Sequence, residues 1–148
     1  PFEGDSAMSI NQFKDDYAWL SNFSYSLMVW EDIAYDTVEH AFQAAKTLDR
    51  DERKVIAQLA RPGDAKRAGK KVQLRDNWNG IRIPVMKELL ELKFEIPELR
   101  QKLLDTGNEE LVEGNYWNDF FWGVCLKQRK GQNRLGKLLM TIRSEILL

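Results

Sequence analysis

The sequence predicts a mainly α fold with one small antiparallel β element, closed into a single compact domain. Three observations lead there. Apolar residues recur at helical spacing, most clearly Leu135, Leu138, Leu139, Ile142 and Ile146 near the end of the chain. Helix start and stop signals punctuate the chain from residue 36 onward. Only residues 27–35 read as strand, with Leu27-Met28-Val29-Trp30 and Ile33-Ala34-Tyr35 flanking Glu31-Asp32 as a short hairpin.

The elements follow in order. Residues 13–23 are aromatic-rich and interrupted by polar residues, without a clear period. Asp36-Thr37-Val38-Glu39 has the pattern of a capping box with Asp36 at the N-cap, opening a helix to about Asp49. A second helix is expected over about residues 50–59, broken by Arg61-Pro62-Gly63, and Asp64 caps a short helix ending near Gly69. Residues 77–95 have a helical pattern that Pro84 must kink or split. Pro97 suits a first helical turn and Gly107 its stop, and Asn133 is the expected cap of the last helix. Linkers, repeats and low-complexity tracts are absent from this pattern, and a doubly wound sheet is not expected.

Composition narrows the function. The chain has 148 residues, 43% of them hydrophobic, and no apolar run near the roughly 18 residues a bilayer span needs. No membrane association is expected. The 22 basic and 23 acidic residues leave a net charge of −1, too little to hold a nucleic-acid backbone by charge alone. A lone cysteine, Cys125, excludes an internal disulfide, and with one histidine the usual zinc spacings are missing. These counts suit the cytoplasm and a mechanism without metal or cofactor. Residues 1–7 precede Met8 without periodicity or an apolar core, and are expected to be a cloning remnant rather than a signal peptide.

Three clusters carry chemistry. In Glu39-His40-Ala41-Phe42-Gln43-Ala44-Ala45-Lys46 a helix places Glu39, Gln43 and Lys46 at i, i+4 and i+7, about 40° and 20° off a common line. A carboxylate, an amide and an amine then share one face, the groups a hydrolytic or Schiff-base reaction uses. The bland reading has Glu39 completing the capping box, His40 satisfied on the helix and Lys46 solvated. In Asn115-Tyr116-Trp117-Asn118-Asp119-Phe120-Phe121-Trp122-Gly123 the aromatics around Asp119 suit stacking on a flat heterocycle beside a desolvated acid. Alternatively the rings are core and Asp119 caps a turn. In Arg129-Lys130-Gly131-Gln132-Asn133-Arg134 a basic loop runs into a helix N-terminus, where backbone N–H groups with Lys130 or Arg134 would hold a phosphate. Solvated basic residues at a loop–helix junction are the alternative. Lys66, Arg67, Lys70 and Lys71 read as a solvated face.

Set in order, these clusters resemble a known family. Leu20-Ser21-Asn22-Phe23, Val38 to Lys46, Leu74-Arg75-Asp76-Asn77-Trp78, Val85-Met86, Lys93-Phe94, Leu103-Leu104-Asp105-Thr106-Gly107, Trp117-Asn118-Asp119, Phe121-Trp122-Gly123 and Gly131 to Met140 together look like the NADAR superfamily, the YbiA-like N-glycosidases. The resemblance runs from about Ile10 to Leu148. It implies a compact, mainly helical YbiA-like domain over 8–148 and cleavage of N-glycosidic bonds to ribose. By motif, Glu39, Trp78, Asp119 and Trp122 fall at functional positions, and Lys46 matches a lysine proposed to engage the ribose. The catalytic groups expected from it are Glu39, Asp119 and Lys46. Substrate contacts are expected at Asn22, Phe23, His40, Gln43, Trp78, Trp122, Gly123, Asn133 and Arg134.

Breaking a ribosyl C–N bond builds positive charge on the sugar, so one carboxylate stabilises the transition state while a second activates water or protonates the leaving base. Glu39 and Asp119 form the expected pair, with Trp78 and Trp122 stacking on the base. The alternative makes Lys46 a nucleophile on the opened ribose aldehyde, with Glu39 moving protons. The expected substrate is a small phosphoribosyl compound such as a riboflavin biosynthesis intermediate. Two alternatives are removal of ADP-ribose from guanine, with nucleic acid entering only as the modified substrate, and a non-catalytic module binding ADP-ribose or NAD-derived nucleotides. Binding alone has no need of Glu39, Lys46 and Asp119 together. The oligomeric state is not encoded in any of these patterns.

Overall fold

The computed structural model describes residues 9–148, so the expectation for residues 1–7 lies outside the described residues. In chain order the elements are β1 (Ser9–Ile10), a 3₁₀ segment (Asp15–Leu20), β2 (Met28–Trp30), β3 (Ile33–Tyr35), α1 (Val38–Ala44), α2 (Arg50–Ala57) and α3 (Pro62–Gly69). These are followed by α4 (Trp78–Lys93), α5 (Pro97–Asp105), β4 (Glu110–Leu111), β5 (Gly114–Asn115), β6 (Val124–Cys125) and α6 (Arg134–Leu147). The fold is mostly helical, as the sequence predicts. No helix among the described residues is long and apolar enough to cross a membrane.

Contacts divide the chain into two groups, Asn22–Ile96 and the segments flanking it. In the first, β2 and β3 form the expected antiparallel hairpin, with Trp30 opposite Ile33. Glu31 and Asp32 both take positive φ, 46° and 69°, the mirror-image turn whose twist suits a two-residue hairpin. Every residue of α1 is buried, so this is an interior helix rather than an amphipathic one. Thr37, not Asp36, is its N-cap, and the helix ends at Ala44 rather than near Asp49. Asp49 instead caps α2, accepting from the N–H groups of Asp51 and Glu52. Helix α3 begins at Pro62, inside the expected break, because proline is well placed in a first turn, and Asp64 pairs with Arg61 and Arg67. Helix α4 runs through Pro84 unbroken. The Pro84 ring removes the N–H that would bond the Gly80 carbonyl, one turn back, and the helix continues without that bond.

The second group holds two parallel strand pairs beyond the single β element expected. β1 pairs with β4, Ser9 opposite Glu110, and β5 pairs with β6, Gly114 opposite Val124. Helix α6 buries Leu135, Leu139 and Ile142 from the expected stripe. Its first flanking residue, Asn133, lies in the left-handed region at φ 50° and gives no side-chain cap, contrary to expectation. The Asn133 side chain ties two segments together instead, Nδ2 donating to Leu111 O at 2.9 Å and Oδ1 accepting from Glu113 N at 3.0 Å.

Candidate active site

The site within Asn22–Ile96 is built on α1. Its neighbours pack closely because Ala41, Ala44 and Ala45 leave no side chain in the way, and this draws Glu39 to 7% exposure. The first turn is held from outside the helix: Glu39 N–H donates to Asn22 O at 3.1 Å, and His40 N–H donates to Thr37 Oγ1 at 3.1 Å. At the carboxylate, Gln43 Nε2 donates to Glu39 Oε1 at 2.8 Å, one helical turn on. Burial pushes the Glu39 carboxyl above the usual carboxylate range, and the Gln43 hydrogen bond with the charges of Lys66, Lys46 and His40 opposes the rise.

Lys46 does not continue the helix. Ala45 is the C-cap, and Lys46 sits in the following turn, its N–H bonded to Gln43 O at 3.2 Å. The turn is fastened by Arg75, whose backbone N–H donates to Lys46 O at 2.8 Å and whose guanidinium reaches Ala45 O at 3.4 Å. Burial lowers the Lys46 pKa, Glu39 opposes that, and Lys66 with Lys70 adds to it. Lys66 and Lys70, read as a solvated face in the sequence, thus weigh electrostatically on Lys46. An amine with a lowered pKa beside a carboxyl with a raised one is an arrangement suited to proton transfer near neutral pH.

The other expected residues of this group divide. Asn22 keeps a buried Oδ1 with no hydrogen-bond partner among the described residues, while its Nδ2 donates to Met86 Sδ at 3.5 Å. Phe23 is 45% exposed. Gln43 has a buried Oε1 without a hydrogen-bond partner among the described residues. His40, expected to contact substrate, is fully buried with both ring nitrogens engaged, Nδ1 at 2.8 Å from Thr37 Oγ1 and Nε2 at 2.9 Å from Leu59 O. Nε2 faces a carbonyl, which can only accept, and Nδ1 faces a hydroxyl, which can do either, so both ring nitrogens are satisfied within the protein. These bonds give His40 a structural part. Trp78, expected to stack on a base, is only 5% exposed and lies against Phe42 at 5.0 Å between ring centroids.

The second cluster lies in the flanking group. Asp119 Oδ1 accepts from the N–H groups of Phe121 at 3.1 Å and Trp122 at 2.9 Å, the turn-capping geometry. Its backbone is clamped by Asn115, which accepts from Asp119 N at 3.1 Å through Oδ1 and donates to Asp119 O at 3.1 Å through Nδ2. The same Nδ2 donates to Glu113 Oε2 at 3.1 Å. Gly123 is required there because any side chain would overlap the Glu113 carboxylate and carbonyl. Trp122 stands edge-on to Phe121 at 4.8 Å, and the Arg134 guanidinium lies 4.7 Å over the Phe121 ring while its Nε donates to Gln132 Oε1 at 2.9 Å.

The helix N-terminus expected to hold phosphate is already occupied. The N–H groups of Gln132, Asn133, Arg134 and Leu135 donate to the carbonyls of Phe120, Gly123, Phe121 and Trp122 respectively. Orphan donors at a helix start attract an anion only when nothing else satisfies them. Any phosphate role at this junction therefore falls to side chains, Arg134 first.

The NADAR domain model matches residues 10–147. The chain belongs to the NADAR domain family. It is 38% identical to the N-glycosidase YbiA of Escherichia coli (strain K12) over 145 residues, covering 96% of this chain and 89% of that protein. The solved NMR structure of E. coli YbiA superposes with a TM-score of 0.81 at 35% identity, covering 99% of this chain and 93% of that one. The chain is also 34% identical over 165 residues to the chloroplastic riboflavin biosynthesis protein PYRR of Zea mays, spanning 99% of itself but 26% of that longer protein.

Within this NADAR domain, Thr37, Arg75 and Asn115 are positioning residues that no chemical motif announces. Arg75 stands in the Leu74 to Trp78 motif, which is the one signal that marks it. Thr37 lies just before the Glu39 cluster and Asn115 opens the aromatic one, yet both act largely through main-chain partners that the sequence does not show.

Proposed function

We propose that this NADAR domain is an N-glycosidase hydrolysing a phosphoribosyl compound of the riboflavin-intermediate type. One observation carries the reading: a buried carboxyl with raised pKa, Glu39, held by Gln43 and sharing its field with the depressed amine of Lys46. Support comes from relatives named as N-glycosidases and as a riboflavin biosynthesis protein. Glu39 stabilises the positive charge that grows on the ribose as the C–N bond breaks, its effect strengthened by exclusion of water. Asp119 is the second carboxyl group, activating water or protonating the leaving base through Oδ2, which no hydrogen bond among the described residues uses. Trp122 stacks on the base, Asn22 Oδ1 accepts from a sugar hydroxyl, and Arg134 meets the phosphate with the guanidinium nitrogens that Gln132 leaves over. The buried free thiol of Cys125 suits work in the reducing cytoplasm.

The test is to incubate the protein with phosphoribosylated pyrimidine intermediates and, separately, with an oligonucleotide carrying ADP-ribose on guanine, following base release by mass spectrometry. Release from the phosphoribosyl compound, at least about a hundredfold slower in Glu39→Gln, is expected, since the amide keeps the shape and removes the charge. Release from the oligonucleotide alone would replace the substrate while keeping the chemistry. A Glu39→Gln protein of normal turnover would refute the mechanism.

A further inference from the structure

Gly69 is the last residue of α3, buried and helical, with no positive φ to explain a glycine. Glycine is among the poorest helix formers, so on propensity alone alanine is the better residue there. The explanation is across the helix contact. A methyl group on Gly69 would overlap Gln43 Oε1 and stand 2.8 Å from Gln43 Cδ and 3.0 Å from Gln43 Cβ. The 3.0 Å approach to Cβ, which no rotation changes, is taken up by a slight parting of α1 and α3. Flipping the amide relieves the overlap with the oxygen but not the 2.8 Å approach to Cδ, so the side chain must swing about its Cα–Cβ bond. Its Nε2 then leaves Glu39 Oε1, the one side-chain hydrogen bond that Glu39 makes among the described residues.

We propose that Gly69 is a positioning residue for the reaction: the bare Cα of α3 seats the Gln43 amide so that it aims its N–H at the Glu39 carboxylate. The inference rests on the catalytic reading of Glu39. Within it, the amide oxygen occupies the space a side chain on α3 would take, and the amide nitrogen orients the carboxylate and favours its ionised form. Gln43 and Gly69 therefore act as one unit, and neither touches the reacting atoms.

The experiment is a double-mutant cycle on base release, measuring kcat and KM across pH for wild type, Gly69→Ala, Gln43→Ala and the double variant, with melting temperatures alongside. Gly69→Ala is expected to lose tenfold or more in kcat with KM changed less than threefold. Its pH profile should move to higher pH on the limb that Glu39→Gln abolishes, because the hydrogen bond that eases Glu39 ionisation is gone. Gln43→Ala should behave alike. The double variant, which loses the overlap with Oε1 and Cδ and keeps only the 3.0 Å approach of the two Cβ atoms, should be no worse in kcat than Gln43→Ala, with its folding checked by the melting temperature, the non-additivity of a shared mechanism. Losses that multiply, or a Gly69→Ala protein with wild-type kcat and an unmoved limb, would overturn the proposal. The side-chain amide resonance of Gln43 by NMR separates the two readings: a shift in Gly69→Ala supports the seat even where Glu39→Gln proves active, and an unshifted resonance refutes it whatever Glu39 does.

Discussion

Lys93 offers a sharp test of the packing beside the site, since it is a lysine with no exposed surface at the end of α4. Its Nζ donates to Ser24 Oγ at 3.2 Å and lies 5.3 Å from the Phe94 ring. Burial pulls its pKa down to about 7. In the unfolded chain the amine keeps its proton to about pH 10.4. Between those values the unfolded state holds a proton that the native state lacks, so stability climbs with pH by up to about 1.4 kcal/mol per unit. Below pH 7 both states are protonated, and the native state carries the full cost of a buried ammonium. Replacing Lys93 by Met removes this dependence. The stability of Lys93→Met relative to wild type should be greatest at pH 6 and fall by about 2.3 kcal/mol between pH 7 and 9, the slope reaching its full value only above pH 8. Lys46, with its lowered pKa, and Tyr35, pushed up to about 12 by burial, titrate in both proteins and cancel in the difference. The lost Ser24 contact offsets the variant at every pH and adds no slope. Urea unfolding followed by tryptophan fluorescence at pH 6, 7, 8 and 9 gives the comparison. Parallel curves for the two proteins would show that the Lys93 amine is charged throughout, and the reasoning fails.

Two further tests address the chemistry. Asp119→Asn retains an oxygen for the Phe121 and Trp122 N–H groups, so its melting temperature should change by a few degrees while turnover drops about a hundredfold, or ~2.7 kcal/mol in the barrier; full activity would leave Asp119 a turn cap alone. Asp119→Ala forfeits both bonds and should lose roughly 2 kcal/mol of stability as well, read by denaturant unfolding. For Lys46, borohydride added during turnover should trap a ribosyl adduct on the peptide bearing it if the amine attacks the opened sugar. No adduct, with Lys46→Ala still active, would leave direct hydrolysis through Glu39 and Asp119 as the account.

The helices were legible because their signals are local. Pro97 in a first turn and the Leu135 to Ile146 stripe each speak through residues a few positions apart, whereas Pro62 fits a break and a first turn equally, and the sequence reads it as the break. The two parallel strand pairs had no such voice: β1 meets β4 about 100 residues later, and a two-residue ladder is too short to show a period of two. Glu39 and Gln43 could be placed on one helix face from their i, i+4 spacing, and they share a hydrogen bond. Lys46 could not, because α1 stops where Arg75, distant in sequence, takes over its carbonyls. His40 and Asn133 looked like binding groups because their side chains are polar; their partners, Leu59 O and the backbone at Leu111 and Glu113, are main-chain atoms that no residue type advertises.

The junction between Phe120–Gly123 and the start of α6 carries four backbone hydrogen bonds, four N–H groups to four carbonyls. Because amides and carbonyls are common to every residue type except the proline nitrogen, the side chains at 120, 121 and 122 are not needed for the stitching. A change of ring at 120, 121 or 122 therefore leaves these four bonds in place and is felt instead in the ring contacts, Lys130 over Phe120, Arg134 over Phe121 and Trp122 edge-on to Phe121. The start of the last helix is thus insulated from the identity of the rings that precede it.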